Sequence, residues 1–147
     1  EIASKVEELK ETNDLQSPEL TQMLATYYMN MFDLEAHIKE IQETYKERCE
    51  LMIEMIKKYF PKEIKYTDPE GGMFLWLELP EGLASDKILD EAVEAGVAYI
   101  PGESFFAQEG VKNTVRMNFT MVNDQQIRDG IKILGEVFSR HIQGSNK

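Results

Sequence analysis

A single cysteine, Cys49, has nothing to pair with in this sequence, so no internal disulfide staples the fold and a reducing compartment suits it. Cys49 falls on the apolar stripe of a helical segment and reads as a small buried hydrophobe rather than a nucleophile. Histidine is almost as scarce. His37 and His141 lie far apart without partners at metal-ligand spacing, so no metal site is expected. Positive charge is short as well: 16 lysines and arginines against 27 aspartates and glutamates leave a net charge of −11. Such a balance repels a phosphate backbone and argues against nucleic acid as a partner of this chain. No apolar run approaches the roughly 20 residues of a membrane span. The opening Glu1-Ile2-Ala3-Ser4-Lys5 is not the basic-then-apolar pattern of a signal segment, and a soluble, cytoplasmic protein is expected.

Familiar catalytic patterns are missing too. Gly71-Gly72 precedes a strand, whereas a phosphate cradle needs glycines followed by a helix N-terminus. There is no Gly-x-Ser-x-Gly elbow. Carboxylates abound, but nothing separates a catalytic pair from helix-surface charge. Met23, Met29 and Met31 read as core or interface packing.

What is present is enough for a core, since 42% of the 147 residues are hydrophobic. The chain lacks an initiator methionine and starts inside a helical pattern (Ile2, Val6, Leu9), which leads us to expect a piece of a longer polypeptide. Ser17-Pro18-Glu19 reads as a helix start, with Ser17 as N-cap and Pro18 in the first helical position. A longer helix from about Asp33 carries the stripe Leu34, Ile38, Ile41, Tyr45, Cys49, Met52, Ile56, Tyr59 and ends at Phe60-Pro61. Ile64 to Thr67 reads as a short strand. Met73 to Leu77 is an apolar strand expected to be buried on both faces. Ser85 is expected to cap a helix that Gly96 terminates, before a strand from Val97 to Ile100. Pro101-Gly102 opens a loop carrying two exposed-looking aromatics, Phe105 and Phe106. Asn123 and Gln126 form a capping box for a last helix with Ile127, Ile131, Leu134 and Phe138 inward. The element order predicts an α+β fold, a small and mostly antiparallel sheet packed with helices.

Within Thr114 to Thr120, alternation sets Val115, Met117 and Phe119 on one face and Arg116 with Asn118 on the other. A guanidinium projecting from a strand suits a carboxylate, which its planar fork binds through two parallel hydrogen bonds. Taken alone, the strand reads first as an arginine on a solvated sheet face.

Three segments change that reading: Pro69-Glu70-Gly71-Gly72-Met73-Phe74-Leu75-Trp76, then Gly96 to Gly102 with Phe105-Phe106, then Val115-Arg116-Met117-Asn118-Phe119. In this order they resemble the C-terminal domain of class I/II aminotransferases, the fold-type-I pyridoxal-phosphate enzymes, and most of all the multisubstrate, aminoadipate and kynurenine branch. Leu15-Gln16-Ser17-Pro18 and Tyr45-x-x-Arg48 extend the likeness upstream, over nearly the whole chain.

The resemblance implies that Arg116 forms the salt bridge to the α-carboxylate of the substrate. It implies that Phe74 matches an aromatic near the substrate side chain, a plain core phenylalanine being the alternative, and that Gly72, beside Gly71, allows close backbone approach at the site mouth. It implies residues 1–32 as a helical link from a missing N-terminal large domain, 33–143 as the small domain and 144–147 as a polar tail. Pyridoxal 5'-phosphate is implied for the full-length protein, a homodimer acting on amino acids and 2-oxo acids. No lysine here matches the family's Ser-x-x-Lys followed by Gly-x-Arg-x-Gly, so no catalytic residue and no covalently held cofactor are expected, and the chain alone should be inactive. A second reading is the effector domain of a transcription regulator that fuses a helix-turn-helix to an aminotransferase-like body.

Overall fold

A computed structural model describes residues 2–14, 17–108 and 110–145, and it divides into two compact units between Ile41 and Gln42. Leu15 and Gln16 of the upstream likeness, and Asn146 and Lys147 of the expected tail, lie outside the described residues.

In the first unit, α1 (Ile2–Asn13) and α2 (Glu19–Met31) have no buried residue. Met23, Met29 and Met31 are exposed, so none of them packs in a core. The start of α2 differs by one residue from expectation. Pro18 takes the cap position with an extended ψ of 120°, Glu19 is the first helical residue, and no side chain caps the end. The Ser17 hydroxyl instead accepts from Lys10 Nζ at 3.1 Å, while its carbonyl accepts from Gln22 Nε2 at 2.9 Å. α3 (Leu34–Tyr59) begins here, capped by Asp33, whose Oδ1 accepts the Ala36 N–H at 2.9 Å.

The second unit is built on the later turns of α3, where Cys49, Leu51, Met52, Met55 and Ile56 are buried. Four strands follow: β1 (Lys65–Tyr66), β2 (Phe74–Glu78), β3 (Ile100–Pro101) and β4 (Thr114–Asn118). They lie in the order β1-β2-β4-β3 and every pairing is antiparallel. The core sits on one face, where Leu75, Leu77, Val115, Met117 and Phe119 meet Ile56 of α3 and the inner side of α5 (Asp124–Ser145).

The other face of β2 corrects the sequence reading. Leu75 and Leu77 are fully buried, but Phe74 and Trp76 are only half-buried. The apolar run hides this, because aromatic residues on a partly open face look like core residues when only hydrophobicity is counted.

Two further expectations shift. Ser85 does not cap α4 (Ser85–Glu94) but is its first residue, preceded by Ala84 in the cap position without a side-chain cap. Its N–H donates to the Lys112 carbonyl at 2.8 Å and its carbonyl accepts from Tyr99 Oη at 2.6 Å, which holds Ser85 inside and leaves Oγ buried without a partner. The strand expected at Val97 to Ile100 is reduced to Ile100–Pro101. Gly96 and Val97 are used in stopping α4, their N–H groups donating to the carbonyls of Val93 and Ala92, both at 2.9 Å.

Asn123 and Gln126 do close a capping box, each backbone N–H donating to the other's side chain at 2.9 Å. α5 runs through Gly144 to Ser145, so half of the expected tail is helical. Glu91 ties α4 to α5. Its Oε1 accepts from Arg140 Nε at 2.9 Å, and its Oε2 lies 2.7 Å from His141 Nε2. The Arg140 contact, then the His141 contact, hold the Glu91 carboxyl below its ordinary value. A lowered carboxyl stabilises the fold above the unfolded value, and that contribution is lost as pH falls through the folded one. Glu91→Gln should therefore lower the urea midpoint at neutral pH, with variant and parent converging in acid. A difference of constant size down to pH well below the carboxylate range would rule this out.

Candidate functional site

Arg116 occupies the centre of β4, paired with Trp76 of β2 on one side and Ile100 of β3 on the other. As alternation requires, it projects from the face opposite Val115 and Met117, which are buried. It is not, however, an arginine held in solvent. Its guanidinium carbon lies 4.2 Å from the ring centroid of Phe74 and 4.2 Å from that of Phe105, and the side chain is half-buried. None of the ion pairs among the described residues includes it. Its Nε is buried without a hydrogen-bond partner among the described residues. A cation flanked by two rings is stabilised by their quadrupoles yet keeps its N–H donors for an anion. Neighbouring Asn118 is otherwise engaged. Its Oδ1 accepts from Thr120 N at 2.8 Å, Thr120 Oγ1 at 3.0 Å and Met121 N at 3.3 Å, turning the chain at the end of β4.

Of the three expected site residues, Arg116 and Phe74 are brought together and Gly72 is not with them. Gly72, with a φ of +89°, belongs to the turn before β2 and lines a cleft of about 510 Å³ with Tyr45, Cys49, Asp68 and Phe119. Phe119 is on the buried side of the β4 alternation, so this cleft opens away from the Arg116 face. Arg48 of the Tyr45-x-x-Arg48 segment donates from Nη1 to the Thr120 carbonyl, fixing α3 against the end of β4. The Cys49 thiol is raised by burial first and by Asp68 and Glu50 second. Burial and the neighbouring carboxylates thus both favour the neutral thiol over the thiolate.

Phe105 is the site residue that the sequence alone did not assign. It ends the short 3-10 helix η1 (Gly102–Phe105), and its ring meets Trp76 edge-on with centroids 5.9 Å apart. Phe106 makes the same kind of contact with Trp76, also at 5.9 Å. Both rings are exposed, as expected, and at the same time they form one cluster with Phe74, Trp76 and Arg116. Every lysine among the described residues is exposed. Lys46 at the cleft stands among Glu50, Asp68 and Glu70, which would repel a phosphate.

The sequence matches the family model "Aminotransferase class I and II" over residues 1–134. It is 43% identical over 139 residues to aromatic-amino-acid aminotransferase 1 of Thermococcus litoralis, covering 95% of this chain and 33% of that protein. It is 34% identical to the 2-aminoadipate transaminase of Thermus thermophilus, covering 92% of this chain and 34% of that one. Among solved structures, the kynurenine aminotransferase of Pyrococcus horikoshii superimposes with a TM-score of 0.88 at 43% identity, over 96% of this chain and 35% of the other. The chain thus spans about a third of the length of these relatives.

Proposed function

The chain belongs to the class I and II aminotransferase family, and from that premise we propose that it is the substrate-clamping domain of a transaminase, with Arg116 receiving the substrate's α-carboxylate. The full-length protein then moves an amino group between an amino acid and a 2-oxo acid. Residues 33–143 form the clamping domain and residues 1–32 link it to a large domain outside this chain. The same reading makes the full-length protein a cytoplasmic homodimer.

One observation carries the proposal: Arg116 is half-buried between two rings, with no acid partner among the described residues. Structural arginines on a sheet are ordinarily paired or solvated. A half-buried arginine with no acid partner among the described residues is suited to an anion that arrives from outside, and both substrates of a transamination carry the same carboxylate. On this reading Phe74, whose ring lies against the guanidinium, meets the substrate side chain once the carboxylate is bound. Gly72 would serve the site only from the turn that leads into β2.

Pyridoxal phosphate supplies the electron sink of this chemistry in the family. The described residues do not fit that group by themselves, for the lysines are exposed and the cleft that includes Lys46 is acidic. On this reading the cradle and the lysine belong to the large domain, and the isolated chain should not turn over.

In the full-length enzyme, Arg116→Ala is expected to cost about 1.5–3 kcal/mol, which is roughly a ten- to 150-fold loss in kcat/KM. The loss should be alike for the amino donor and the 2-oxo acid. Unchanged KM and kcat for both would show that the carboxylate binds elsewhere. The upstream gene sequence separates this proposal from the regulator reading, which requires a basic winged-helix segment there.

A further inference from the structure

We propose that Phe105 is a positioning residue of the carboxylate receptor, holding the Arg116 guanidinium in its receiving pose before any substrate arrives. The inference rests on the assignment of Arg116 to the α-carboxylate.

Two rings contact Arg116 at the same 4.2 Å, but they are held differently. Phe74 sits within a five-residue strand and is fixed by the sheet. Phe105 comes from η1, and only the seating of that turn brings its ring to Arg116. The seating depends on Gly102, where a Cβ would lie 2.1 Å from Thr114 Oγ1 and 2.8 Å from Trp76 Cη2. With no side chain, Gly102 lets the start of η1 rest directly on β4 and β2. In a 3-10 helix, residues three apart lie one above the other, so Phe105 stands one turn over Gly102 and above the same two strands. Trp76 supports the ring edge-on from below. Thr114 Oγ1, buried beneath this contact without a partner, shows how closely η1 is pressed down.

The physical effect is preorganisation. A free arginine side chain loses considerable rotamer freedom when it binds an anion, and that loss weakens binding. A guanidinium already confined by Phe74 and Phe105 has lost most of that freedom on folding. Phe105 therefore tightens carboxylate binding without touching the carboxylate, and it acts only through Arg116. The effect is common to ground state and transition state, so it appears in KM more than in kcat.

The test is a double-mutant cycle in the full-length, cofactor-loaded enzyme. Phe105→Ala should raise KM for the amino acid and the 2-oxo acid about tenfold with kcat little changed, the size of a partly desolvated cation–π contact. Phe105→Tyr, which keeps the ring face, should restore KM. Phe105→Leu, which keeps bulk without the face, should remain close to alanine. In an Arg116→Ala background, Phe105→Ala should add nothing further. Full, additive losses in the double variant, or full restoration by leucine, would overturn the inference. So would a harmless Phe105→Ala beside a damaging Arg116→Ala, which leaves the carboxylate assignment standing. A harmless Arg116→Ala would instead overturn the assignment, and this inference with it.

Discussion

Phe138→Ala is expected to remove about 3–5 kcal/mol from the stability of the second unit. Phe138 is fully buried near the end of α5. Its ring meets Phe60 edge-on with centroids 5.5 Å apart, and it lies tilted against Tyr99 at 5.8 Å. Deletion leaves a ring-sized void between three elements that cannot all close on it. α5 is pinned at its start by the capping box, Phe60 is held at the proline stop of α3, and the Tyr99 hydroxyl donates to the Ser85 carbonyl. Burial also drives the Tyr99 hydroxyl well above its ordinary pKa, so it stays a neutral donor throughout the usual pH range. A denaturant titration of variant and parent checks the prediction. A loss below about 1 kcal/mol would mean that the site collapses freely, contrary to this picture.

The second large effect is expected at Gly102. Gly102→Val should cost about 3 kcal/mol, because the new Cβ alone would stand 2.1 Å from Thr114 Oγ1, 2.7 Å from Thr114 Cβ and 2.8 Å from Trp76 Cη2. Thr114 Cβ cannot yield cheaply, since it is attached directly to the backbone of the central strand β4. The expected response is that η1 lifts, carrying Phe105 away from Arg116. Trp76 is the only tryptophan, so its fluorescence reports the lift directly while denaturation reports the cost. Gly102→Ala should be milder, and milder still beside Thr114→Ala, which removes the nearest colliding atoms. A Gly102→Val protein with parental stability and an unaltered tryptophan spectrum would refute the close seating of η1.

These effects also mark what could be read from the residues. Arg116 on a face opposite Val115 and Met117 was legible, because period-two alternation is a local property of the chain. The capping box at Asn123 and the proline stop after Phe60 were legible for the same reason. Ser85 was misread because a serine before a helical stripe looks like a cap, and only the docking of Lys112 and Tyr99 onto its backbone draws it inward. The half-open face of β2 was hidden because hydrophobicity does not reveal what lies opposite. Phe105 could not be assigned from sequence. Its role depends on the missing side chain of Gly102 meeting Thr114, twelve positions along the chain, and no local pattern encodes that approach. The division within α3 is equally silent, since the apolar period runs through Ile41 and Tyr45 without a breaker.

The outer strands of the sheet have a consequence of their own. β1 and β3 are each two residues long, with Lys65 on one rim and Pro101 on the other. A rim must offer a row of free backbone groups before a foreign strand can add to it, and these are too short to template one. Proline also removes a donor, and lysine carries a charge that resists burial between stacked sheets. The long strands β2 and β4, which could recruit copies of themselves, are enclosed as the middle pair. Resistance to fibrous self-association is thus written into the two shortest pieces of the sheet.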